Sequence, residues 1–167
     1  MTESVGNQQE LGLADLLTEE CILLDVDAQD RGAAIRIGCD LLVRAGAVTS
    51  EYLELILQSL EKNGPYFVIV PHFALSHARA EHGCVKRPAM SLVRLETPVA
   101  FGNSDNDPVR IVLTLATPDD HVHIRALAQL SELLMQEHTW NVLETGTAFD
   151  ILAMVGSTSV QGVNDGN

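Results

Sequence analysis

Two early segments of the chain carry apolar residues at helical spacing. Apolar residues recur every three or four positions over 34–42 and again over 50–62, which predicts two amphipathic helices. Asp27 is the expected N-cap of the first helix, and Gly46 is its expected end. The turn-forming run at 63–65 should end the second helix, because it contains adjacent glycine and proline residues.

Other segments carry the β-branched, aromatic or alternating residues that are typical of strands. These segments are residues 20–27, 66–70, 73–75, 90–101 and 109–115, and the last of them alternates strictly with a period of two. A break is expected at Thr97-Pro98, because proline cannot donate a hydrogen bond to a strand ladder. The alternation of strands and helices along the chain predicts an α/β fold.

A longer helix is predicted after the segment at 109–115. Asp119 or Asp120 is its expected N-cap, and the stripe of residues on its inner face begins with His123 and ends with Leu134. Two short helices divided by Gly146 should follow, at 140–143 and at 149–155. His123 is therefore expected on the same helix face as the apolar residues, close to the N-terminus of its helix.

Length and composition are those of one globular domain. The chain has 167 residues, of which 46% are hydrophobic, and this is enough to form a core in a single domain. Residues 11–155 are expected to form that domain. The flanks at 1–10 and 156–167 lack hydrophobic periodicity and are expected to be disordered.

Charge and cysteine content narrow the range of partners and compartments. The formal net charge is −13, which argues against nucleic acid as a partner and favours a protein with a basic face. No run approaches the roughly 18 apolar residues of a membrane span, and the polar start does not resemble a secretory signal, so we expect a cytoplasmic protein without membrane insertion. The three cysteines show no paired spacing and are expected to be reduced and mostly buried.

Histidines are the residues most able to carry chemistry in this chain. His72 and His77 bracket one segment, and His121 and His123 stand together at a predicted helix start. Imidazole can accept a phosphoryl group, act as a general base or bind a metal, and spacing does not separate these roles. A hydrogen-bonded structural role for each histidine also stays open, as does a zinc site built from all four, although HExxH and paired cysteines are absent. His82 and His138 are expected at the surface.

Motifs of several other catalytic classes are missing. The chain has no GxxxxGK[ST] loop, no GxGxxG after a strand and no GxSxG elbow, so ATP is not expected as a direct phosphoryl donor. The run Asp105-Asn106-Asp107 lacks the glycine and glutamate of a calcium-binding EF-hand loop and is interpreted as a solvated turn.

Three blocks of sequence resemble one known family. They read GPYFVIVPHFALSHARAEHG from Gly64, then SLVRLETPVAFGNSDNDPVRIVLTLA, then DDHVHIRAL, and they are similar to the mannitol/fructose-type EIIA family. The GPYFV opening and the FGNSDNDPV loop look most like the ascorbate-type branch of that family. The resemblance covers about residues 11–155. It implies an α/β fold with a mixed, about five-stranded sheet and helices on both faces.

The function that the resemblance implies is phosphoryl transfer in a phosphoenolpyruvate-dependent sugar phosphotransferase system (PTS). Such a protein accepts phosphate on a histidine from phospho-HPr and passes it to a cysteine of a cognate EIIB, for uptake of a carbohydrate such as ascorbate. A membrane EIIC is a further candidate partner, and neither a cofactor nor a metal is required. Two alternatives stay open: a regulatory EIIA-like module that signals its phosphorylation state to a protein target, and a degenerate metal-binding domain.

Site residues also follow from the resemblance. The family's phosphoryl acceptor falls on His77, and its second active-site histidine falls on His123. Ser76 stands where the family usually has proline, and His72 stands where glycine or another small residue is expected. These two residues and Arg79 are therefore candidate supports of the phosphate site, with His72 expected over the pocket mouth. Phe73 and Leu75 are expected to form an apolar wall that protects the phosphoryl group from water.

Overall fold

The computed structural model describes residues 11–81 and 83–157, which contain four strands and six helices. They are α1 (Leu13–Leu16), β1 (Leu17–Val26), α2 (Arg31–Arg44), α3 (Glu51–Asn63), β2 (Phe73–Ser76), β3 (Ala89–Val99), β4 (Val109–Ala116), α4 (Asp120–Leu134), α5 (Glu137–Thr145) and α6 (Ala148–Ser157). The predicted α/β fold is confirmed. Disorder was predicted for 1–10 and for 156–167, but Gly156 and Ser157 belong to α6, and the other residues of both flanks lie outside the described ones.

The sheet is mixed, as predicted, but it has four strands in the order β1-β3-β4-β2 and not five. β1 lies parallel to β3, β2 lies parallel to β4, and β3 and β4 are antiparallel. The predicted strand at 66–70 is a turn-rich segment, in which Val68 N–H bonds to Pro65 O at 3.3 Å. Phe67 and Val68 are 0% and 2% exposed, so the apolar residues of this segment reflect burial in the core and not strand pairing.

Helices cover both faces of the sheet. A Cβ on Gly38 of α2 would lie 2.6 Å from the Thr114 hydroxyl, so this helix packs closely on one face of β4. On β2, Phe73 projects to the other face, and its ring contacts Trp140 of α5 with centroids 6.0 Å apart. Coverage on both sides explains why β4 is buried along almost its whole length although its sequence alternates with a period of two.

Several predicted boundaries are shifted in the structure. Asp30, and not Asp27, caps α2 by accepting a hydrogen bond from Ala33 N–H at 2.8 Å. β3 continues through Pro98 to Val99 instead of breaking before it. The register of β3 on β4 shifts between Arg94 and Val99, so Pro98 falls at an irregular point where its missing N–H costs no regular ladder bond.

A buried arginine joins β1, β3 and the connection between α5 and α6. Arg94 is 5% exposed, and its guanidinium donates to both carboxylate oxygens of Asp25 at 2.8 and 3.1 Å. It also donates to Leu143 O at 3.1 Å and to Gly146 O at 2.9 Å. Because a guanidinium has five donors in a rigid plane, a single side chain can satisfy all three partners.

All three cysteines are free and buried, as predicted.

Among residues 11–81 and 83–157, none of the helices combines the length and the apolar character needed to cross a membrane.

Candidate active site

His77 and His123 meet at one edge of the sheet. His77 directly follows β2, while β4 leads through Thr117 and Pro118 into α4, whose first turn carries His123. Because β2 and β4 are adjacent and parallel, their carboxyl ends lie side by side. The two imidazole rings have centroids 5.2 Å apart and are tilted by 44°.

The His77 ring is held in one tautomer by the backbone. Its Nδ1 lies 2.8 Å from Leu75 O. A carbonyl oxygen can only accept a hydrogen bond, so in the neutral ring Nδ1 carries the proton and Nε2 keeps its lone pair. Nε2 is therefore the nucleophilic nitrogen of the neutral imidazole.

Aromatic residues pack against the His77 ring. The Tyr66 ring stands edge-on to it at 5.6 Å, and the Phe67 ring lies 6.2 Å away. The Tyr66 hydroxyl bonds to the Ser59 hydroxyl at 3.0 Å. The prediction that Phe73 and Leu75 form the wall is wrong, because both are almost fully buried and do not line the cavity. Tyr66 forms the wall that lines the cavity, and the fully buried Phe67 supports it by packing against the rings of both Tyr66 and His77.

The second histidine is partly buried beside Thr117 and Asp120. His123 Nδ1 lies 3.4 Å from the Thr117 hydroxyl. Burial lowers the pKa of His123, the nearby His77 lowers it further, and Asp120 acts in the opposite direction. Desolvation and the neighbouring imidazole thus favour a neutral His123 at neutral pH.

An open cavity of about 360 Å³ lies over these two rings. Its lining includes Arg79, Asp119 and Asp120 in addition to the two histidines. Asp119 caps α4, since its Oδ1 accepts from Val122 N–H at 3.0 Å. This bond engages one oxygen of a carboxylate that would otherwise repel a phosphate. Arg79 is exposed at the rim, where its cation can face an anion in the cavity.

Ser76 and His72 lie away from the cavity. Ser76 is fully buried and pairs with Thr114 across β2 and β4, so its side chain lies on the sheet face that α2 covers. His72 stands at the opposite end of β2, roughly 16 Å along the chain from His77. It lines a separate cavity with Trp140, and its Nδ1 bonds to Pro108 O at 2.8 Å. The expectation that His72 lies over the mouth is therefore wrong.

The backbone of His72 explains why glycine was expected there. Its φ is 68°, in the left-handed region that glycine adopts without steric cost.

The four histidines of the alternative zinc site do not come together, because His72 lies at the opposite end of β2 from His77. Within residues 11–81 and 83–157, no group of three His, Cys, Asp or Glu side chains could hold a metal ion. His138 is exposed as predicted, while His82 lies outside the described residues.

The loop at 101–108 clamps the segment that carries the aromatic wall. Asn106 donates to Val68 O at 2.8 Å, and Asn103 donates to the same oxygen at 3.3 Å. Asp107 accepts from the N–H groups of Phe101 and Gly102, both at 2.9 Å. This loop was interpreted only as a solvated turn, yet its asparagines and aspartate are structural. In the sequence, the feature that could have pointed to these residues is the FGNSDNDPV block, which contains all of them.

Comparisons with known proteins agree with this arrangement. Residues 15–156 match the model of the family described as "Phosphoenolpyruvate-dependent sugar phosphotransferase system, EIIA 2". The ascorbate-specific PTS system EIIA component of Escherichia coli K12 is 38% identical over 150 residues, which cover 88% of this chain and 97% of that protein.

Solved structures show the same fold. A PTS IIA (PtxA) from Streptococcus mutans is 32% identical, with a TM-score of 0.80 over 93% of this chain and 100% of its own. The mannitol-specific cryptic enzyme IIA CmtB from Escherichia coli is 30% identical, with a TM-score of 0.76 over 88% of this chain and 99% of its own. The mixed sheet, the paired histidines and the match over residues 15–156 lead to one conclusion: this chain belongs to the EIIA type 2 family of phosphoenolpyruvate-dependent sugar phosphotransferase systems.

Proposed function

We propose that this protein is a cytoplasmic phosphoryl carrier that accepts phosphate from phospho-HPr on His77 and passes it to a cysteine of a cognate EIIB. The observation that carries the proposal is the His77 ring, whose Nδ1 is bonded to Leu75 O while Nε2 keeps its lone pair beside the ring of His123. Ascorbate is the proposed transported carbohydrate, because the ascorbate-specific component from Escherichia coli K12 is 38% identical to this chain and the mannitol-specific CmtB is 30% identical.

The transfer step needs no proton acceptor at Nε2. The lone pair of Nε2 attacks the phosphorus of the donor's phosphohistidine, a P–N bond forms at His77, and the donor's P–N bond breaks with its electrons returning to the donor imidazole. His77 keeps its Nδ1 proton, and the positive charge that develops on its ring is stabilised by Leu75 O at 2.8 Å. Positioning and charge dominate such a loose transition state.

The surroundings of His77 suit a phosphoryl group on Nε2. Arg79 lines the cavity and supplies a cation, and the N-terminus of α4 adds a positive dipole end. The rings of Tyr66 and Phe67 pack on His77 and limit the access of water to the P–N bond. Ser76 and His72, the two departures from the family pattern, lie outside this cavity, which supports a functional site over a degenerate one.

Incubation with phosphoenolpyruvate, Enzyme I and HPr tests the proposal. Intact mass spectrometry should show one added phosphoryl group that is labile to acid, and ¹⁵N NMR should place it on Nε2 of His77. A protein that stays unmodified while a control EIIA is phosphorylated in the same mixture would refute the carrier function.

Transfer onward separates a transport component from a regulatory module. The phosphorylated protein should lose its phosphoryl group to the cysteine of a purified ascorbate-type EIIB, and more slowly to a mannitol-type EIIB. Phosphorylation of His77 without transfer to either EIIB would favour the regulatory EIIA-like alternative.

His123→Ala should slow transfer without preventing folding. A neutral imidazole at this place can donate a hydrogen bond to a phosphoryl oxygen, and losing one charge-assisted bond costs about 1.5 to 3 kcal/mol, or roughly ten- to a hundredfold in rate. Rapid-quench measurements of phosphate exchange with HPr give the rate, and thermal melting reports the stability. His138→Ala, which removes an exposed histidine of α5, is the matched control. Unchanged exchange together with a large loss of stability would assign His123 a structural role only.

A further inference from the structure

Tyr52 is a buried residue beside the site that neither the sequence motifs nor the proposed chemistry includes. It lies in the first turn of α3 and is 0% exposed. Burial raises the pKa of its phenol above the ordinary value, so the hydroxyl stays protonated and can both donate and accept hydrogen bonds. Three backbone atoms near the ends of β2 and β4 surround this hydroxyl.

The hydroxyl joins the chain after His77 to the end of β4. Ala78 N–H donates to the Tyr52 oxygen at 3.2 Å, and the Tyr52 O–H lies 2.7 Å from Leu115 O. A second carbonyl, Ala78 O, is farther away at 3.4 Å. Since the phenol has a single proton, it donates that proton to the nearer acceptor, Leu115 O.

This connection begins where the strand ladder ends. The last paired residues of β2 and β4 are Ser76 and Thr114, so the residues that carry the site are not held together by regular strand pairing. Ala78 directly follows His77, and two residues beyond Leu115 the chain reaches Thr117, whose hydroxyl lies 3.4 Å from His123 Nδ1. The Tyr52 hydroxyl therefore bridges the two chain segments that carry the two histidine rings.

We infer that Tyr52 is a positioning residue, which sets the separation and orientation of His77 and His123 through the bonds of its hydroxyl to Ala78 and Leu115. This inference rests on the proposed phosphoryl transfer. Without the hydroxyl, the ring of residue 52 still fills its place in the core, but the segment after His77 can move relative to β4. Small displacements of reacting groups lower rates steeply.

Tyr52→Phe tests the inference, because it removes the hydroxyl and keeps the ring. Single-turnover transfer from phospho-HPr should slow roughly tenfold, while the donor concentration at half-maximal rate stays unchanged. In the unphosphorylated protein, the ¹⁵N shifts of both His77 nitrogens should move away from those of a single fixed tautomer. Those shifts are measured on the unphosphorylated protein and report the tautomer of His77, so they test Tyr52 separately from the proposed function.

Ser91→Ala is the matched control. It also removes a buried hydroxyl that donates to a backbone carbonyl, Gly38 O at 2.8 Å, but it has no contact with the site. It should lower the melting temperature and leave both the transfer rate and the histidine shifts as in the parent. If Tyr52→Phe has parental rates and shifts, or if Ser91→Ala slows transfer as much as Tyr52→Phe does, the inference is overturned.

Discussion

Replacing His77 with glutamine is expected to abolish phosphorylation by phospho-HPr. Glutamine can still donate a hydrogen bond from the same region of the cavity, but its amide nitrogen has no available lone pair and cannot form a phosphoramidate with the donor phosphoryl group. The loss should be complete within the detection limit of intact mass spectrometry. Circular dichroism and thermal melting should remain close to the parent, because the ring is only partly buried.

His72→Gly is the control for that experiment. It removes a histidine five residues earlier on the same strand segment, at the far end of β2 from the cavity. Glycine accepts the φ of 68° without strain, so this variant should fold and gain one phosphoryl group at the parental rate. Robust labelling of His77→Gln, or loss of labelling in His72→Gly alone, would mean that the acceptor has been assigned to the wrong histidine.

Replacing Arg94 with methionine is expected to cause the largest loss of stability among the variants described here. The change keeps an unbranched apolar stem but leaves Leu143 O and Gly146 O, at 3.1 and 2.9 Å in the parent, without their charged donor. Losing those bonds in a buried setting should cost about 2 to 4 kcal/mol of unfolding free energy. For a domain of this size the melting temperature should fall by roughly 5 to 15 °C.

Urea titration monitored by circular dichroism measures the effect of Arg94→Met, and Arg87→Met serves as its control. Arg87 also donates to a backbone carbonyl, Ala45 O at 2.7 Å, but from the surface. Surface substitutions of this kind usually change stability by no more than about 0.5 kcal/mol. Equal stability losses in the two variants would show that burial of the Arg94 guanidinium adds nothing to the fold.

Arg94 also illustrates what the sequence could not predict. The segment at 90–101 was expected to be a strand on its apolar residues, and nothing in it indicated that an arginine in its middle would be buried. Its partners come from β1 and from the end of α5, between 49 and 69 residues away. A buried charge depends on partners that come from distant segments of the chain, and these partners cannot be predicted from a local sequence pattern.

The prediction of a strand at 66–70 was wrong for a related reason. Apolar, aromatic and β-branched residues indicate burial as much as they indicate strand pairing. Phe67 is fully buried, and Val68 O is occupied by Asn106 of a distant loop. The backbone bonds of the segment to β2, such as Leu75 N–H to Phe67 O at 2.8 Å, are isolated and do not form a regular ladder. The predicted wall of Phe73 and Leu75 is consequently wrong, and Tyr66 lines the cavity instead.

The sequence by itself determined the family and most of the order of helices and strands, apart from α1 and the strand wrongly predicted at 66–70, together with the two histidines on which the proposed chemistry depends. Hydrophobic periodicity reports which face of each element is buried, and a long ordered block of residues is specific in a way that a lone histidine is not. Only the tertiary structure decided which side chains surround His77. The bond that leaves Nε2 free is local, from His77 to Leu75 two residues earlier, whereas the 5.2 Å separation of the two rings and the Tyr52 bridge join residues from different elements. Such distances arise from packing between elements, which no local pattern encodes.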